Sequence, residues 1–200
     1  MRRGKADRVD HFEYITMVVS FVSAFAISQL LSGWARQWTY REVQPPYALH
    51  TVSTLLFLIA LVQSIWGSWA YRDVPWSFGP FLVYFASTLP LAGAAALIHP
   101  PIATSEETSI RAHYFSNGRA AYLLIAVWIA LAGLLEWLLV DHLGQFSESM
   151  ALLQGIRFVA AIILTIQSIS RSPRVHWVGL GLLAIMISIS SMRFGQFTPA

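Results

Sequence analysis

The sequence predicts an all-helical, polytopic membrane protein of six transmembrane helices, and three observations carry that expectation. Six apolar stretches approach bilayer-spanning length, charged residues make up only 12% of the chain, and the mean hydropathy is +0.58. Soluble domains carry about 25% charged residues, so half that amount is too little to coat a water-facing surface.

The stretches cover residues 13–34, 48–71, 76–98, 120–140, 150–170 and 175–192. Each is close to the ~20 residues that cross a ~30 Å hydrocarbon layer at 1.5 Å per residue. Strands do not fit: residues 54–61 and 162–166 are unbroken apolar runs, whereas barrel strands alternate. In lipid every backbone N–H and C=O needs an internal partner, so such runs become helices. The organisation expected is a basic tail over 1–12, a single six-helix domain over 13–193 and a short tail over 194–200. Ala24-Phe25-Ala26 has the form of a signal cleavage site. However, Asp7, Asp10 and Glu13 precede the apolar run, which continues to Leu31, and this predicts a retained helix.

The net charge of +3 does not form the broad basic face that nucleic acid requires. Arg2, Arg3, Lys5 and Arg8 suit anionic lipid headgroups instead. Orientation stays open, because Lys and Arg outside the spans divide equally between the two sides. The absence of cysteine excludes disulfides, thiolate metal sites and covalent haem attachment. No Walker A loop, G-x-G-x-x-G fingerprint or G-x-S-x-G elbow is present, and no catalytic set stands out.

Local features refine each element. Trp34, Trp38, Trp69, Trp76 and Trp177 fall near predicted helix ends, where amphipathic rings settle at the lipid–water boundary. Pro100-Pro101 ends the third span, and Asn117-Gly118 marks a turn before the fourth. Residues 105–115 between them fit either a short interfacial helix or a solvated loop. Ser20, Ala24, Ser28 and Ser32 on the first span, with Gly181, Ala184, Ser188 and Ser191 on the sixth, form small-residue stripes. Such stripes let backbones approach closely, within the chain or with a second copy. Gln63 and Gln167 sit in matching contexts, ALVQSIW and LTIQSI, which suggests two inverted three-helix halves offset by about 105 residues.

Several motifs resemble those of a group of small bacterial membrane proteins of no assigned activity. These are Glu13-Tyr14-Ile15, Ser28-Gln29-Leu30-Leu31-Ser32-Gly33, Gln63 with Trp66, Arg111-Ala112-His113-Tyr114-Phe115 and Arg174-Val175-His176. The resemblance implies six helices in a bacterial inner membrane and nothing catalytic. The basic tail before Glu13 departs from that pattern.

Polar residues inside a membrane are costly and tend to mark pathways. Glu136 lies five residues before Asp141, and Arg157 seven after Met150, on consecutive antiparallel spans. Both therefore sit roughly 8–11 Å below the same surface, a depth match that predicts an ion pair. Gln29, Gln63, Gln154 and Gln167 should face inward, and Tyr84, Ser87 and Thr88 before Pro90 are placed to meet Gln63. The expected function is a small permease or channel-like protein for an undetermined solute or ion. Its path would be lined by Gln29, Gln63, Trp66, Tyr84, Glu136, Arg157 and Gln167.

Two other classes stay open. One is an accessory or assembly subunit making lateral contacts. The other is a haem or metal protein using His50, His99, His113 and His176, which share one side although none shows a metal-binding spacing.

Overall fold

In the computed structural model the described residues are 11–72, 74–101, 109–139 and 148–194. Among them are seven α-helices, one 3-10 turn and no strand. They are α1 (His11–Thr39), α2 (Ala48–Gly67) with the 3-10 turn Ser68–Tyr71, α3 (Phe78–Ile98), α4 (Ile110–Phe115), α5 (Gly118–Leu138), α6 (Glu148–Ile169) and α7 (Pro173–Phe194). All except α4 are long and apolar enough to cross a membrane, so this is a multi-pass membrane protein. Asp141 and His142, most of the basic tail and residues 102–108 of the long connector lie outside the described residues. Residues 110–115 of that connector form the short helix α4, opened by Ser109 accepting a bond from the Ala112 N–H, and its Ile110, His113 and Tyr114 are buried against the bundle.

Prolines punctuate the chain. Pro45-Pro46 precede α2, Pro100-Pro101 follow α3, and Pro173 opens α7, where its missing N–H costs nothing. Helix α1 is longer than its apolar stretch, at 29 residues or about 43 Å. Its last turns carry Arg36 and Gln37, so the helix continues after hydropathy fades.

The six spans form a ring. Going round it, α1 packs on α3, α3 on α5, α5 on α6, α6 on α7, α7 on α2 and α2 back on α1. The closest-packed pair is α3 with α5, where Ala94, Ala95, Ala121 and Ala126 are buried. Two apolar cores result. One, including Leu30, Leu49, Leu91, Ile98 and Tyr114, fills one end of the ring and its middle. The other, with Phe12, Ile15, Val19, Tyr71, Tyr84, Leu135 and Leu139, closes part of the opposite end.

Three expectations are corrected. Ala24, Ser28 and Ser32 of the first stripe are exposed on α1, with Ser20 bordering the interior space, and Gly181, Ser188 and Ser191 are exposed on α7. The tightest intrachain contacts are made by alanines elsewhere. Helical spacing defines a stripe but not which way it faces, because lipid is as apolar as the core. The packing does not repeat between halves either. Within its half α1 packs most closely on α3, whereas α5 packs most closely on α6. Finally, Trp34 turns inward and donates to Thr54 Oγ1 at 2.8 Å, while Trp38, Trp69 and Trp177 are exposed.

Candidate functional site

A cavity of about 1420 Å³ lies inside the ring, and all six spans contribute to its wall. Most of the wall is apolar, with Leu56, Phe57, Leu91, Ile125, Leu164 and Leu183 among its members. Ser23, Ser87 and Thr88 add hydroxyls midway, and the larger polar clusters lie near its two ends.

At one end Glu136 of α5 is buried and fully partnered. Tyr71 donates to Oε1 at 3.0 Å and the Gln154 amide donates to Oε2 at 2.9 Å. The Arg157 guanidinium on α6 pairs with Oε2. Three donors satisfy the oxygens of this carboxylate, and the pairing with Arg157 offsets part of the cost of burying both groups. Tyr71 and Trp76 extend this cluster to Tyr84 of α3: the Tyr71 ring lies edge-on to Tyr84 and the Trp76 ring stacks on it at 5.7 Å. The cavity reaches the exposed Trp66, Trp69 and Arg72 here, so this end is open.

The opposite end is shut by hydrogen-bonded histidines. Pro100 and Pro101 have no N–H, which strips the last carbonyls of α3 of their usual donors. Two histidines replace them. His113 Nε2 donates to Leu97 O at 3.0 Å and His50 Nε2 to Ile98 O at 2.9 Å. A carbonyl only accepts, so Nδ1 of a neutral His50 is the free acceptor, and it faces the Gln37 amide at 3.2 Å. The same amide nitrogen lies 3.4 Å from His99 Nδ1 and bridges the two rings. His99 in turn lies against Gly33. A Cβ there would fall inside the imidazole, so only glycine lets α1 and α3 approach this closely.

A third histidine repeats the device at the end of α6. His176 Nε2 donates to Ser170 O at 3.1 Å, leaving Nδ1 to accept from Tyr114 at 2.9 Å. Tyr114 lies 2.6 Å from Tyr122, whose side chain borders the cavity. Gln167 is fully buried and donates to His176 O at 3.1 Å.

Burial depresses the histidines that lie beyond the spans. His99 is lowered to about 3, mainly by desolvation and then by the neighbouring His50 and Arg36. His113 is lowered by burial despite its bonds to carbonyls, and burial raises the Tyr114 hydroxyl. All are neutral at physiological pH. Their donor sets do not suit a metal: the Nε2 atoms of His50, His113 and His176 are each directed at a backbone carbonyl rather than a common point. Among the described residues no group of three or more His, Asp or Glu is placed to hold an ion.

Of the seven residues expected to line a path, Gln63, Trp66, Tyr84, Glu136 and Arg157 border the cavity, while Gln29 and Gln167 do not. Gln63 donates to Ile187 O on α7 at 3.5 Å rather than meeting Tyr84, Ser87 and Thr88. The Ser87 and Thr88 hydroxyls turn back onto their own helix, donating to Tyr84 O and Phe85 O. Sequence reasoning missed Tyr71 and Tyr122, because a tyrosine inside an apolar run reads as an interfacial or core residue. Tyr114 and the capping histidines had a usable signal in the proline pair that leaves carbonyls bare.

Compared with known proteins, the chain matches no family model, no curated protein and no solved structure.

Proposed function

We propose that the chain is a small permease or channel-like protein, with the central cavity as its solute site. The reading rests on one observation: a space of about 1420 Å³ walled by all six spans, open beside a buried ion pair and shut by a hydrogen-bonded histidine end. Intramembrane charges that border a cavity are the usual furniture of pathways. The wall is mainly apolar, so the solute is a small molecule with an apolar body and few polar groups. The resemblance of its short motifs favours a bacterial inner membrane.

The cysteine-free chain makes the test direct. A single Ala132→Cys on the cavity wall should react with methanethiosulfonate-ethylammonium from one face of sealed vesicles. Leu123→Cys on the outer surface should not react. Ala132→Cys that reacts from neither face would mean that the cavity is dry and the reading wrong. Uptake of leucine and phenylalanine, small solutes with an apolar body, into proteoliposomes should also fall when Gln63→Ala and Glu136→Gln are combined.

A second reading, an assembly subunit, is favoured by the exposed small residues on α1 and α7. Oxidative cross-linking of Ser28→Cys into dimers in native membranes would support it.

A further inference from the structure

We propose that Tyr122, Tyr114 and His176 form a proton-linked subsite, in which protonation of His176 reverses the hydrogen-bonding polarity that Tyr122 presents to the cavity. The chain of contacts is short and its directions are fixed by chemistry. His176 Nε2 faces the Ser170 carbonyl at 3.1 Å and so must carry a hydrogen. In the neutral ring Nδ1 is then bare and accepts from the Tyr114 hydroxyl at 2.9 Å. Tyr114 has spent its only hydrogen, so at 2.6 Å it must accept from Tyr122. The hydrogen of Tyr122 therefore points away from the cavity, which sees only its oxygen lone pairs. In this state the closed end binds a donor, an N–H or O–H of the solute.

One added proton inverts every link. Cavity water delivers a proton to the Tyr122 oxygen, the original Tyr122 hydrogen passes to Tyr114, and the Tyr114 hydrogen passes to Nδ1. The imidazolium that forms keeps its Nε2–H on Ser170 and donates from Nδ1 to Tyr114. Tyr114 donates to Tyr122, and Tyr122 now offers an O–H to the cavity. No bond outside these hydrogens changes, and the proton leaves by the reverse route. In the charged state the same position binds an acceptor, a carbonyl or a carboxylate.

The surroundings allow both states without supplying a fixed counter-charge. His176 is packed by the rings of Tyr114, Phe115 and Tyr122 from α4 and α5. From α6 the Gln167 amide holds its backbone carbonyl. The charged groups near the α6–α7 turn are cations: Arg119, which donates to Ser168 O, and the exposed Arg171 and Arg174. Among the described residues no carboxylate pairs with His176, so none of them pins the imidazolium.

This subsite rests on the reading of the cavity as a solute site, but its test reads the hydrogen bonds themselves. Protein carrying ¹⁵N-histidine and ¹³Cζ-tyrosine is placed in lipid vesicles for solid-state NMR, with His176→Gln and Tyr122→Phe identifying the two signals. The expected result is the Nε2–H tautomer of His176 at pH 8. On acidification, imidazolium formation and a shift of the Tyr122 signal should share one midpoint. In Tyr114→Phe, which keeps the ring and removes the hydroxyl, Tyr122 should no longer follow His176. The proposal is overturned by an Nδ1–H tautomer at pH 8, by a His176 that does not titrate in folded protein, or by a Tyr122 signal that is indifferent to His176 in the unmodified chain. Solute uptake by proteoliposomes that is indifferent to Gln63→Ala combined with Glu136→Gln would sink the permease reading while leaving these spectra unchanged.

Discussion

At the open end of the bundle the polar side chains are organised by an ion pair; at the shut end they are organised by hydrogen bonds among imidazoles, amides and backbone carbonyls. Glu136 gathers Tyr71, Gln154 and Arg157 around one carboxylate. His50, His113 and His176 instead spend their N–H groups on carbonyls at the ends of α3 and α6. The contrast shows two ways of putting polar atoms at membrane depth. A charge pair concentrates the stabilisation in one contact, so losing one partner strands the other. A hydrogen-bonded network spreads it over several bonds of ordinary strength, and its weakness is protonation.

The comparison breaks most sharply at Arg157. Arg157→Leu should cost about 3–5 kcal/mol by leaving Glu136 buried without its cation. The loss would be read as reduced folded yield and a lower melting temperature in detergent. The exchange of Glu136→Arg with Arg157→Glu should restore part of it; no recovery would show that Tyr71 and Gln154, not the ion pair, hold this end. Next comes Gly33→Ala, whose methyl group enters the space of the His99 ring. Overpacking of this kind costs ~1–3 kcal/mol, and a stiff imidazole puts the effect towards the top of that range.

The pH dependence separates the two ends. His99 and His113 titrate lower in the folded chain than in the unfolded one. Between the unfolded value of 6.5 and the folded value of about 3 for His99, the unfolded state binds more protons. Stability is therefore complete above that window and declines as pH falls through it, by about 2 kcal/mol at pH 5 for His99. Melting curves at pH 7.5 and 5 should show this decline, and His99→Phe should reduce it. The smallest effect is expected for Thr54→Val, which removes the Trp34 bond and should cost only ~0.6 kcal/mol.

Much of the fold was legible in the sequence, because hydropathy and helical rise are local properties. The six spans, and the depth match of Glu136 and Arg157 on adjacent helices, follow from them directly. The order of helices around the ring does not, since it depends on which faces meet. For the same reason Gln63 reaches α7 instead of α3, Gln29 is not on the cavity wall, and Ala24, Ser28 and Ser32 of the stripe on α1 are exposed. In the sequence the histidines read as a one-sided group at helix ends, with haem or metal binding or a proton relay as the chemistry they could carry. Their actual work, replacing donors lost to Pro100 and Pro101, needed the tertiary fold to bring His50 and His113 to the end of α3.

Of the six spans, α7 leaves the ribosome last, and it is also the one that closes the ring between α6 and α2. Until it arrives, the amides of Gln63 and Gln167 lack the carbonyls of Ile187 and His176, and Tyr114 lacks its imidazole. The nascent bundle is thus an open trough with unsatisfied hydrogen-bonding groups facing lipid. A single helix completes three separate hydrogen-bonded contacts at once, which makes its docking cooperative.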